Sequence, residues 1–452
     1  MKTKNAEVLE TNLASSLIDR PPSDLKPWPR NPRTHDDKQL AKLKTSIRKY
    51  GFTAPVLVDE AGIILSGHGR VQAAIELGLA MIPTRVIGGL SEAEKRAYVI
   101  ADNKLAQLAR WNETLLKNEL ELLIAEDFEI EMTAFSTAEI DILFDGAEEH
   151  SRSDPDDLQP DDIAAEVISR VGDLWRLGNH SLLCGDALSL DSYKTVLHGA
   201  LAQMVISDPP YNVPIDGHVC GSEKIHHNEF KMASGEMTPG EFTKFLNTAF
   251  SHTHASSQDG AVHYYFTNWR HSMEIQNAAQ PLFGSPLQLC VWVKDNGGMG
   301  TFYRSQHELV FVFKKSEAPH INNFELGQHG RYRTNVWTYA GVNTLKGKGY
   351  ELLTLHPTVK PVSLIADALR DCSHRQGIIL DPFAGSGTTL IAAERTGRQA
   401  RAIELDPQYA DVAVMRWQRV TGIQAVLEAT GQNWDQVRAT RLFGVEEGGD
   451  DL

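Results

Sequence analysis

The stretch "GIILDPFAGSGTTLIAAERTGRQARAIELD", residues 377–406, constrains the fold most. It reads as a strand, a glycine turn, a helix, and a second strand that ends in an acid. Gly385 and Gly387 let the backbone approach a ligand closely. Glu404 follows Gly387 at the offset where an acid grips a ribose diol in nucleoside-binding sheets. A P-loop needs a lysine that "GSGTT" lacks, and a dinucleotide fingerprint needs a third glycine that is absent. A nucleoside without phosphate remains. Asp381, at the strand tip, suits a ligand ammonium and would repel a phosphate. A ribose and an amino-acid group together point to S-adenosylmethionine; the alternative is a merely structural tight turn.

The surrounding sequence supplies more strands: "HSLLCGDAL", "AQMVISDPPY", "AVHYYFTN", "LQLCVWVK" and "ELVFVFKK". Helical patterns such as "PGEFTKFLNTAF", "SLIADALRDC" and "TTLIAAERTG" alternate with some of them. The fold class expected is α/β, a Rossmann-like doubly wound sheet over about 166–430, with a tail at 431–452. An acidic segment at 146–165 reads as a linker. Ahead of it, 18–110 reads as a small α/β module and 111–145 as a helical extension. Four scattered cysteines without a CxxC pair argue against zinc or a disulfide framework and for a cytoplasmic setting. No apolar run reaches bilayer length, so no membrane partner is expected. A formal charge of -15 speaks against a nonspecific nucleic-acid coat. Charge nearly balances between about 212 and 350, which leaves room for a DNA groove there.

"SDPPYN" (207–212) sits directly after an apolar strand. An exocyclic base amine is a weak nucleophile because its lone pair is delocalised into the ring. Acceptors that bond both amino hydrogens aim that lone pair at a methyl sulfonium. Asp208 can provide one and the Pro209 carbonyl the other, while Pro209 and Pro210 hold them rigid. Tyr211 would stack on a base swung out of the duplex.

"SDPPYN" together with "DPFAGSGTT" resembles the DNA amino-methyltransferases. Their order, tetrad first and cofactor loop later, is similar to the permuted beta class. "HPTVKP" (356–361) and "LLCGDAL" (182–188) match further elements of that class, and the resemblance spans about 170–425. It implies that Asp186 meets the cofactor's adenine and that Lys360 and Asp381 flank its methionine end. It further implies that Phe383, Gly385 and Gly387 line the pocket, that Glu404 holds the ribose, and that Asp208, Pro209, Pro210 and Tyr211 form the catalytic tetrad. Read structurally instead, Asp186 is a turn aspartate and Lys360 a surface lysine. In this family an acid in the first tetrad place favours adenine N6 over cytosine N4. The implied partner is double-stranded DNA, with a homodimer as an open alternative to a monomer. Methylation of RNA or protein, and a binding protein with a non-catalytic methyltransferase half, stay as alternatives.

The base-reading segment of permuted members falls here at about 270–350. Lys294, Arg304, Arg331 and Arg333 are its DNA-contact candidates, interleaved with Trp292, Tyr303, Tyr332 and Trp337. "HELVFVFKK" reads as a buried strand. In the N-terminal module, Gly67, His68, Gly69 and Arg70 stand between a strand and a helix start, an arrangement that binds anions. The stretch 18–110 resembles the N-terminal domain of ParB partition proteins, whose matching loop binds a nucleotide triphosphate. This loop reads "GHGR" instead of the family's Glu-Arg-Arg type, and no helix-turn-helix is evident after it. Docking of DNA or a partner is the alternative role. The fold is shared with sulfiredoxins, whose chemistry the absence of cysteine from this module excludes.

Overall fold

A computed structural model of the chain describes residues 16–126, 128–145, 166–212, 233, 235–295, 297, 302–324, 332–341 and 359–444. The acidic segment 146–165, Arg331 and residues 356–358 of "HPTVKP" lie outside the described residues. The chain divides into two compact units, Met1–Ser136 and Thr137–Leu452.

In the first unit, strands β1 (Ile18–Arg20), β2 (Val56–Val58), β3 (Ile64–Ser66) and β4 (Ile82–Val86) form one sheet in the order β1-β4-β2-β3. The pair β2–β3 is antiparallel. The helix Asp37–Tyr50 starts on Asp36, whose carboxylate accepts the Gln39 N–H, and stops at Gly51, where φ is 78°. Leu25, Val56, Val58, Ile64, Val71, Ala74 and Ile82 fill the core.

In the second unit the described residues build a ten-stranded sheet. Its strands are β5 (Leu174–Leu177), β6 (His180–Cys184), β7 (Ala202–Ser207), β8 (Ser257–Thr267), β9 (Gln288–Val293), β10 (His307–Lys314), β11 (Val336–Thr338), β12 (Ile378–Asp381), β13 (Gln399–Glu404) and β14 (Val426–Leu427). Their order is β11-β9-β10-β8-β7-β12-β13-β6-β5-β14. The central run β8-β7-β12-β13-β6 is parallel throughout. Buried side chains on its two faces form separate cores, as expected for a sheet covered on both sides.

Three features depart from the sequence reading. The unit boundary falls at 136/137, ahead of the acidic segment, because the helix Thr137–Asp145 belongs to the second unit. Its buried Asp141 makes a two-point bond with Arg398 (2.8 and 2.9 Å) and a third with Arg375 (2.8 Å). The expected tail contains the helix Trp434–Phe443, held by Trp434 against Trp175 and by Arg441 on Asp173. Strand β5 and the edge strands β11 and β14 were not legible.

Candidate active site

Asp208, Asp381, Glu404 and Asp186 come from four strands that lie side by side. Across the sheet, β7 runs directly into Asp208, β12 ends at Asp381, β13 ends at Glu404, and β6 leads through Cys184 towards Asp186. Neighbouring parallel strands end at one edge of the sheet, so residues far apart in sequence face one cavity there. Ser207–Tyr211, Lys360, Asp381–Gly385 and Glu404 line it.

One half of the cavity is acidic and buried. Glu404 accepts the Gly385 N–H on one carboxylate oxygen and the Asp406 N–H on the other, each at 2.8 Å. Asp381 accepts the Thr389 hydroxyl at 2.6 Å and the Phe383 N–H at 3.1 Å. Burial outweighs these bonds and pushes each carboxyl up to about 7. Ser207 is buried on the same wall, and its hydroxyl has no hydrogen-bond partner. Such a hydroxyl calls for a polar ligand.

Two of the residues assigned to this half, Gly387 and Asp186, also serve the local fold. Gly387 is not part of the lining. It starts the helix Thr388–Thr396 with φ at 78°, and a Cβ there would meet the Ala413 Cβ at 2.8 Å. The glycine therefore serves helix packing. Asp186 accepts the Leu188 N–H at 2.8 Å as a turn aspartate does, while its neighbours Gly185 and Ala187 line the cavity.

The other half is a chain of charges. Lys360 is not a surface lysine; it is buried and its ammonium joins the tetrad. Nζ stands 2.5 Å from Asp208 Oδ2, 3.2 Å from the Tyr211 hydroxyl and 3.2 Å from Glu308 Oε2. The Tyr211 hydroxyl lies 2.5 Å from Asp208 Oδ1 and 3.1 Å from Glu308 Oε2. Lys294 completes the chain with its Nζ 2.5 Å from Glu308 Oε1. Burial opposes ionisation of Glu308, but Lys360 and Lys294 outweigh it and hold the carboxyl at about 2. Burial and the Glu308 charge raise Asp208 in spite of Lys360. Burial would lower Lys360, and the two carboxylates raise it instead. Asp208 stays 22% exposed at its side chain, enough for a ligand to reach it.

Sequence reasoning missed Glu308. It is the second residue of β10, and the strand's apolar remainder drew attention away from it. The available signal was a carboxylate inside an otherwise apolar strand, which needs a buried cation.

The DNA-contact candidates separate. Lys294 faces the tetrad. Arg333 turns inward to Asp371 (3.1 Å), the Tyr339 hydroxyl (2.8 Å) and Asp367 (3.4 Å), which corrects its assignment as a DNA contact. Arg304 is exposed and donates to the Gly297 carbonyl at 2.7 Å, next to the exposed rings of Phe302 and Tyr303.

In the first unit, Gly67 (φ 101°) begins the helix His68–Glu76, and residues 67–70 line a cleft with Arg33, His35 and Asp102. His68 Nε2 accepts the Trp28 N–H at 3.1 Å, and burial lowers its pKa. The Arg70 guanidinium reaches the Pro55 carbonyl at 3.4 Å, and its Nε is buried without a partner.

Comparison with known families matches three parts of the chain. Residues 202–415 match the DNA methylase family of N6/N4 type, and residues 8–104 match the ParB N-terminal domain. A ParB-methyltransferase HTH domain matches residues 114–171, which corrects the expectation that no helix-turn-helix follows the ParB-like part. The ParB-like nuclease domain-containing protein YnaK of Escherichia coli (strain K12) is 44% identical over 80 residues, 18% of this chain and 92% of that protein. Type II methyltransferase M.ScaI of Streptomyces caespitosus is 38% identical over 87 residues, 19% of this chain and 29% of that protein. The solved PvuII DNA methyltransferase (cytosine-N4-specific) has 16% identity and a TM-score of 0.41, covering 53% of this chain and 86% of its own. Residues 202–415 thus form a DNA methylase domain of N6/N4 type, and residues 8–104 a ParB-like N-terminal domain.

Proposed function

We propose that the chain moves a methyl group from S-adenosylmethionine to the exocyclic N6 amine of an adenine swung out of duplex DNA. The observation that carries this reading is the meeting of two half-sites in one cavity. A buried diacid, Asp381 and Glu404, stands on β12 and β13, and the tetrad stands on the adjacent β7. The residues fit the cofactor. Glu404 has two oxygens oriented by backbone N–H groups towards a ribose diol, Asp381 matches an ammonium, and Ser207 offers a hydroxyl that lacks a partner. Bound there, S-adenosylmethionine supplies a sulfonium methyl group that leaves without its bonding electron pair.

The chain's own residues act on the amine. A carboxylate has about four lone-pair positions, and Tyr211 and Lys360 use two of those on Asp208. Another remains for an amino hydrogen, and the Pro209 carbonyl takes the second. The nitrogen lone pair then leaves the ring plane and points along the reaction axis, the positioning that supplies much of the rate. Forming the N–C bond leaves one surplus N–H proton, which passes through Asp208 to solvent. Tyr211, fixed through its hydroxyl, presents its ring to the flipped base.

Incubating the chain with methyl-labelled cofactor and mixed-sequence DNA, then digesting the DNA, tests the reading. Label in N6-methyladenine is expected. Label in N4-methylcytosine would move the assignment to the other amine of this family, and unlabelled DNA would overturn it.

A further inference from the structure

We infer that Glu308 is a positioning residue for methyl transfer and that, with Lys294, it ties the β9–β10 hairpin to the catalytic carboxylate. This rests on the proposed methyl transfer to a base amine and adds to it a residue outside the tetrad.

The three N–H groups of Lys360 meet three acceptors: Asp208 at 2.5 Å, Glu308 at 3.2 Å and the Tyr211 hydroxyl at 3.2 Å. An ammonium with three fixed acceptors has one orientation. Asp208 is thereby held from two sides, by Lys360 on one oxygen and by Tyr211 on the other. Glu308 is the member that fixes both holders, since one of its oxygens lies within reach of Lys360 and of the Tyr211 hydroxyl. Its other oxygen is engaged by Lys294. The Lys360 ammonium also stands 5.4 Å from the Phe266 ring centre and 5.9 Å from that of Trp292, so few waters can substitute for a lost carboxylate.

The placement in the sheet gives the network a direction. Glu308 opens β10, and Lys294 follows the last residue of β9, which pairs antiparallel with it. The hairpin loop between them carries the exposed Phe302, Tyr303 and Arg304. Through Lys294 and Glu308 the facing ends of β9 and β10 are tied to Lys360, and so to the carboxylate that orients the amine. Glu308→Gln removes the charge and leaves one acceptor oxygen between Lys360 and Lys294, so an NH2 donor faces one of the two ammonium groups and the hold on Lys360 loosens. The defect then falls on orientation at the reacting atoms, not on binding.

The test compares full-length wild type with Glu308→Gln and Glu308→Asp, using S-adenosylmethionine and a duplex that the wild type methylates. Glu308→Gln is expected to lose kcat by about 10²-fold, the cost of a small misplacement at a reacting centre. KM for DNA, cofactor Kd and Tm should stay close to wild type. Glu308→Asp, which keeps the charge, should recover a measurable part of the loss. A Glu308→Gln protein with kcat within threefold of wild type overturns the assignment. A loss carried by KM, or one that no charge-conserving variant relieves, overturns it as well. Should the Gln variant unfold, the Asp variant decides on the same split: lower kcat at unchanged KM supports the role, and unchanged kcat refutes it. An inactive wild type instead removes the functional reading itself.

Discussion

Asp381 and Glu404 titrate close to neutral pH in the ligand-free chain, each pushed up to about 7 by burial. A carboxyl raised in the folded state binds its proton more tightly there than in the unfolded chain. These two groups therefore take stability away from the ligand-free protein as pH rises from about 4 to about 7. Binding has the opposite slope, because an ammonium on Asp381 and a diol on Glu404 both require carboxylates. Calorimetric titration with S-adenosylmethionine should show affinity rising by roughly tenfold per carboxylate between pH 6 and pH 8. A flat profile would mean that neither group meets the cofactor. Asp208→Ala should lower kcat by at least about 10³-fold while leaving cofactor Kd within threefold, since Asp208 belongs to the base half. Gly387→Ala should act on stability. Its positive φ and the 2.8 Å approach to Ala413 predict a loss of about 1–3 kcal/mol in thermal unfolding. Residue types were readable for Asp208, Tyr211, Asp381 and Glu404 because each follows an apolar strand. Lys360 was readable as a motif member but not in its direction, since the Asp208–Glu308 pair that attracts it is assembled only by the sheet.

Elements were legible in proportion to how much apolar pattern they carry. The central strands β6, β7, β8, β12 and β13 are mostly buried or partly buried, and each was evident from sequence. The short edges β1, β11 and β14 owe their conformation to a neighbour's hydrogen bonds, which no local pattern announces. The helix Thr137–Asp145 shows the same limit. Its helical pattern was visible, but its membership in the second unit depends on Asp141 meeting Arg398 and Arg375. Breaking a buried pair strands an uncompensated charge, so Asp141→Asn should cost about 3–5 kcal/mol by chemical unfolding. A cost below about 1 kcal/mol would show that the helix is held by other contacts. For the cleft at Gly67–Arg70 we propose a nucleotide triphosphate as ligand. Arg70→Ala should abolish its binding in a calorimetric titration and leave cofactor affinity unchanged. Equal loss of both would indicate unfolding.

At the scale of the whole molecule, the chain order is permuted relative to the spatial order. The tetrad strand β7 comes early and the cofactor strands β12 and β13 come late, yet they are adjacent in the sheet. The inserted strands β8–β11 hold Glu308, Lys294 and the exposed aromatic loop, so the segment between the motifs contributes to the site. A net charge of -15 gives the chain no general attraction for DNA. No described helix is long and apolar enough to cross a membrane. The most direct measurement of the central claim is transfer of label from methyl-labelled S-adenosylmethionine into duplex DNA, with the product nucleosides separated after digestion. Wild type should place label in N6-methyladenine and Asp208→Ala should place none. DNA that stays unlabelled with folded wild-type protein, or label that persists in the Asp208→Ala reaction, would contradict it.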